Sequence, residues 1–141
     1  MVELIASSLR LSTPLLFAAM GGLLCERAGI ATICLEGVML AGAWAAATTT
    51  VFFSDPLLGL GAGLLAGTAT MALHAFLSIT ARADSIVSGV AVNMFAAGVT
   101  PLLTKFFFQS PTNTPSLPLE ERFQSVAIPF LSDLPGVGLL F

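Results

Sequence analysis

The chain has 141 residues, 56% of them hydrophobic and only 9% charged, with a formal net charge of −3. An ordinary soluble domain carries roughly 25% charged residues, so these side chains cannot give a soluble core of this size its polar cover. The acidic balance, with a pI near 4.8, excludes a nucleic-acid partner held by a basic face, and a mean hydropathy of +0.96 points to the bilayer.

The elements follow in chain order. Residues 11–25 form an apolar run. It reaches the ~20 residues that a bilayer core demands only if residues 4–10 extend it. The first helix is therefore read as residues 1–25, with Arg10 snorkelling to the interface. Glu3 and Arg10 cancel, no small-residue cleavage site follows, and Leu24 stands where a lipoprotein signal needs a small residue before Cys25. The segment is thus a retained helix rather than a signal peptide. Glu26-Arg27 ends it. Residues 28–54 are apolar except for Glu36 and are read as a second helix, broken near Glu36-Gly37. Asp55-Pro56 is a stop, because proline disfavours helix in the residue before it. Residues 56–81 are read as a third helix without formal charge, and Arg82-Ala83-Asp84 as a short polar break. Residues 85–108 are read as a fourth helix, ending in Lys105 and an interfacial anchor of Phe106, Phe107 and Phe108. Barrel strands alternate apolar and polar residues, and these runs are continuously apolar. Pro111, Pro115 and Pro118 prevent a long helix over residues 109–136, read as an extramembrane loop. Residues 137–141 begin a further apolar element. The expectation is an all-α integral membrane protein: a single, incomplete membrane domain over residues 1–141 with about four transmembrane helices.

Lys and Arg bias leaves orientation nearly undetermined. Arg10, Lys105 and Arg122 fall on one side, Arg27 and Arg82 on the other. A long Pro-rich loop facing outward would put Arg27 and Arg82 in the cytoplasm.

Polar residues inside apolar runs are the functional candidates. Glu36 is the one carboxylate within a long apolar run. A charge there costs on the order of 2.5–3.5 kcal/mol on insertion scales, so it should face a cavity or a partner. Gly37 after it suits the loosened helices that transporters use at substrate sites. The bland reading is a structural Glu bonded to backbone or to Arg27. Asn93 can both donate and accept, which suits ribose hydroxyls or a base edge, but such amides also simply join helices. His74 lies towards the end of its run and reads as an interface residue that could titrate. Gly59, Gly63 and Gly67 share one helix face and read as a packing stripe. Cys25 and Cys34 read as small buried apolar residues, without metal-type spacing. No GxxxxGK[ST] phosphate loop occurs, a lone histidine supports no hydrolytic triad, and the sequence calls for no cofactor or metal. Energy for uphill transport would come from a partner or an ion gradient.

The sequence also resembles a known family. Leu9-Arg10-Leu11-Ser12-Thr13-Pro14-Leu15-Leu16 with Gly21-Gly22-Leu23 looks like the start of the permease subunits of nucleoside and simple-sugar ABC importers. These belong to the ribose and branched-chain amino-acid permease group. The likeness continues through Glu26-Arg27-Ala28-Gly29 and Leu35-Glu36-Gly37-Val38-Met39-Leu40-Ala41-Gly42-Ala43. It extends to Ile86-Val87-Ser88-Gly89-Val90-Ala91-Val92-Asn93, Ile128-Pro129 and Leu131-Ser132-Asp133-Leu134-Pro135. The resemblance implies a non-enzymatic transport subunit in the bacterial inner membrane. Its partners would be a second permease subunit, cytoplasmic ATPase subunits and an extracytoplasmic solute-binding protein. It implies that Glu36 and Asn93 line the solute path, with Ser88 and Gly89 as lesser candidates. Asp84 stands where relatives often carry Asn, and Cys34 where they carry a smaller residue. Relatives run to about twice this length, with their ATPase-docking loop in the second half, so the chain reads as an N-terminal half, a split permease or a truncated product. The rival reading from another class is a small four-helix proton-coupled exporter. Such exporters place their carboxylate in the first helix and line the cavity with Trp and Tyr, whereas this chain has one Trp and no Tyr.

Overall fold

The computed structural model of the protein describes residues 2–109, 118 and 123. Within them lie α1 (Val2–Arg27), α2 (Leu35–Phe53), α3 (Pro56–Ala75), which runs on into a π-helical turn (Phe76–Thr80), and α4 (Ser85–Phe108). Four stretches are long and apolar enough to cross a membrane: Ser7–Arg27, Leu35–Phe53, Pro56–Thr80 and Ser85–Phe108. The expected all-α class and four spans are present. The expected loop over 109–136 and the apolar element at 137–141 lie outside the described residues, apart from Gln109, Pro118 and Phe123.

Local chemistry sets most helix ends. Helix α1 closes in a Schellman motif: Gly29 N–H bonds the Glu26 carbonyl at 3.0 Å and Ile30 N–H the Cys25 carbonyl at 3.1 Å. That motif needs a left-handed residue, and Gly29 has φ +87°. Ser54 turns the chain after α2 with φ 52°. Asp55 then caps α3 by accepting from Leu57 N–H at 2.8 Å, with Pro56 at the first helical position, where a missing N–H costs nothing. Asp84 caps α4 by accepting from Ile86 and Val87 N–H at 2.9 and 3.0 Å.

The second helix differs from the sequence reading. It begins at Leu35, not residue 28, and Glu36 and Gly37 sit in the first turn of an uninterrupted helix. The break expected at Glu36-Gly37 lies just before them, over residues 28–34. Those residues are apolar, so hydropathy alone runs them into one span, whereas Gly29 in the left-handed region turns the chain off the helix axis. The first helix extends two residues past the expected end at residue 25, to Arg27.

Packing runs opposite to that of a soluble protein. Large apolar residues point outward: Leu11 is 74% exposed, Phe17 71% and Leu65 74%. The interior holds small or polar residues such as Cys34, Thr48, Thr50, Ser88, Ala96 and Thr104. Lipid is as apolar as leucine, so membrane helices associate through close backbone approach and interhelical hydrogen bonds. The α2–α3 seam follows that rule. A Cβ on Gly63 would stand 3.0 Å from both the Gly42 carbonyl oxygen and the Ala46 Cβ, and one on Gly59 would strike Thr50 Oγ1 and come within 2.8 Å of the Ala46 carbonyl oxygen. Gly67 is looser, 3.6 Å from Val38 Cγ1. The α2–α4 seam carries a hydrogen bond from Trp44 Nε1 to Thr104 Oγ1 at 2.9 Å. Beside it, Phe107 packs on Trp44 and Phe52 with ring centroids 6.1 and 6.0 Å apart.

Gly59→Ala therefore overpacks the seam and lowers stability by about 1–3 kcal/mol, read as a drop in thermal stability of the purified protein in detergent. Gly61→Ala, where a Cβ meets nothing within 4 Å, does not lower that stability, since alanine is the better helix former.

Candidate functional site

The polar groups converge where the 28–34 segment enters α2. The first N–H groups of a helix have no partner inside it, and Cys34, the N-cap residue, offers no side-chain bond. The cap comes instead from α4. Asn93 Oδ1 accepts from Gly37 N–H at 2.7 Å, and Asn93 Nδ2 donates to the Ile33 carbonyl at 3.0 Å. One amide thus satisfies an orphan donor of the helix and a carbonyl of the segment leading into it.

Two glycines allow this approach. A Cβ on Gly37 would lie 2.8 Å from Asn93 Oδ1 and 3.1 Å from Asn93 Cα. One on Gly89 would lie 3.3 Å from Cys34 N, Ile33 Cβ and Ile33 N. Cys34 is fully buried, with Sγ 3.8 Å from Met71 Sδ. Behind the segment, His74 Nδ1 and Ser88 Oγ lie 3.1 Å apart, with His74 only 1% and Ser88 4% exposed.

Glu36 stands in the first turn of α2 with its side chain exposed. The positive end of the helix dipole favours a carboxylate there. Among the described residues it makes no hydrogen bond or ion pair. It borders two clefts. One, of about 220 Å³, is lined by Glu36, Gly37, Leu40, Asn93, Met94 and Ala97. The other, of about 460 Å³, lies between α1 and α2, with Leu15, Ala18, Ala19, Leu35 and Met39 around Glu36. Apolar walls with a few convergent polar groups are the usual makeup of a small-molecule site.

The four sequence candidates therefore divide. Glu36 and Asn93 meet at one cleft. Gly89 and Ser88 lie four and five residues before Asn93 on α4, a little over one turn away; Gly89 lets α4 approach Ile33 and Cys34, and Ser88 meets His74 of α3. Asn93 spends its amide on backbone rather than presenting it free. Among the described residues, no group of His, Cys, Asp and Glu could hold a metal ion. Sequence reasoning missed two features. His74 is a buried hydrogen-bonding residue rather than an interface residue, and the 28–34 segment is a built element of the site. The left-handed preference of Gly29 was the one local signal for the second.

Residues 4–134 match the family described as branched-chain amino acid transport system / permease component. The chain belongs to that family. It is 36% identical over 144 residues to the guanosine ABC transporter permease protein NupQ of Bacillus subtilis, covering 98% of this chain and 44% of that protein. It is 34% identical over 144 residues to the nucleoside ABC transporter permease protein NupC of Lactococcus lactis, with the same coverage. Over 141 residues it is 33% identical to the putative glucose ABC transporter permease protein TsgC13 of Haloferax volcanii, covering 98% of this chain and 41% of that protein. The chain spans less than half the length of these curated relatives. No solved structure matches it. As a member of a permease family with four apolar spans among its described residues, it is integral to the membrane.

Asn93→Ala in this permease chain strands both the Gly37 N–H and the Ile33 carbonyl. Leaving the buried Gly37 N–H unsatisfied costs about 1–3 kcal/mol, so the variant loses thermal stability in detergent. Met94→Ala, at an exposed neighbouring side chain, does not. Equal stability of the two variants would show that Asn93 is not a cap.

Proposed function

We propose that the chain forms membrane-spanning permease structure of an ABC importer that carries nucleosides or simple sugars across the bacterial inner membrane. The observation that carries this reading is the similarity along 98% of the chain to permeases named for guanosine and nucleoside transport. A second permease subunit completes the membrane core. Cytoplasmic ATPase subunits energise it, and an extracytoplasmic binding protein delivers the solute. The four-helix exporter alternative has no comparable support.

The cleft at Glu36 suits such a solute. An ionised carboxylate is an acceptor only, and sugar hydroxyls are donors. Leu40, Met94 and Ala97 offer an apolar surface for a sugar or base face. Asn93 serves indirectly, by fixing the turn that carries Glu36. On this reading Glu36 and Asn93 are the path residues, while Ser88 and Gly89 support the path from behind.

The test uses the complete transporter with its ATPase subunits in membrane vesicles. ATP-dependent uptake of labelled guanosine should disappear when this permease is omitted. Hydrogen bonds to a charged group contribute about 1.5–3 kcal/mol, so Glu36→Gln should cut uptake about tenfold or more while subunit assembly on a sizing column stays normal. Full uptake by Glu36→Gln would remove Glu36 from the path. Full uptake without the permease would overturn the functional reading.

A further inference from the structure

The π-helical turn after α3 has a polar consequence independent of the solute path. His74 lies in the last turn of α3 at 1% exposure, and its Nδ1 meets Ser88 Oγ. Its Nε2 is buried and has no hydrogen-bond partner among the described residues. The same holds for Ser78 Oγ, four residues on and inside the π turn Phe76–Thr80. Residues four apart on a helix lie on one face. Two buried polar atoms without partners thus stand on one face at the α3–α4 junction.

Proton bookkeeping sharpens this. Among the described residues, the Ser88 hydroxyl meets only His74 Nδ1. If that hydroxyl donates to Nδ1, the ring carries its proton on Nε2. Nε2–H then needs an acceptor. Ser78 Oγ, able both to donate and to accept, lies on the same face. Burying such groups without partners is costly, and the usual remedy in protein interiors is an ordered water with two to four polar neighbours. A π turn widens the helix locally, and such turns cluster at functional positions.

We propose that His74 Nε2 and Ser78 Oγ form a binding site for a single buried water. The water accepts from Nε2–H and donates to Ser78 Oγ, tying the π turn to α4 through His74 and Ser88. Neither His74, Ser78 nor Ser88 lines the Glu36 clefts.

Radiolytic hydroxyl labelling of the full-length permease in lipid nanodiscs tests it, because buried side chains beside a bound water are modified while dry ones are not. Cys34, fully buried and intrinsically more reactive than imidazole, is the dry control. The expected result is clear modification of His74 with Cys34 nearly silent. Ser78→Ala should lower His74 labelling several-fold, and Ser78→Thr, which keeps the hydroxyl, should retain it. A His74 as silent as Cys34 would overturn the site, whether the atom is dry or bonded to another segment. Labelling of His74 unchanged in Ser78→Ala would overturn the shared water.

Discussion

A peptide backbone that leaves the helix between two apolar spans must find hydrogen-bond partners for the groups it frees, and the arrangement of this chain follows from how residues 28–34 meet that demand. Here the Schellman motif at Gly29 closes α1. Asn93 then closes the opening of α2 from across the helix interface, at Gly37 N–H and the Ile33 carbonyl. Both steps need residues without a Cβ: Gly29 for its left-handed φ, Gly37 and Gly89 for the close approach of α4. The rest of the site is placed by this clamp. It sets where α2 starts, and so where Glu36 stands.

Most of the fold was legible in the sequence because its cause is simple. Long uncharged runs, separated by Glu26-Arg27, Asp55-Pro56 and Arg82-Ala83-Asp84, have few alternatives to spanning helices. The capping roles of Asp55 and Asp84 lie in the same breaks. The 28–34 segment was hidden for an equally simple reason. Ala28, Ile30, Ala31, Ile33 and Cys34 are apolar whether they continue a helix or pack as an irregular segment, and hydropathy does not distinguish the two. The π turn at Phe76–Thr80 leaves no compositional trace.

The candidate site was half legible. Polarity alone selects Glu36 and Asn93, because polar groups are conspicuous in apolar runs. Polarity does not say what each bonds to. Asn93 turned out to be engaged with backbone on both sides of its amide, which is a geometric fact that only the α2–α4 crossing supplies. Ser88 entered as a path candidate through the family resemblance of its block, and its hydroxyl faces His74. His74 read as an interface residue because its position towards the end of a run gives no hint that α4 covers it. The glycines of α3 differ among themselves in a way the spacing cannot reveal. Gly59 and Gly63 touch backbone of α2, whereas Gly67 meets only the Val38 side chain and backbone at longer range.

The central claim is that the clamp presents Glu36 to a water-filled path used by solute. Its most direct test is accessibility at that position. In the full-length permease with Cys25 and Cys34 replaced by alanine, Glu36→Cys would be treated with a membrane-impermeant thiol reagent from each side, with and without guanosine. The account predicts labelling from at least one side and slower labelling when solute is present. A thiol unreactive from both sides, or one labelled at the same rate with solute, would contradict it.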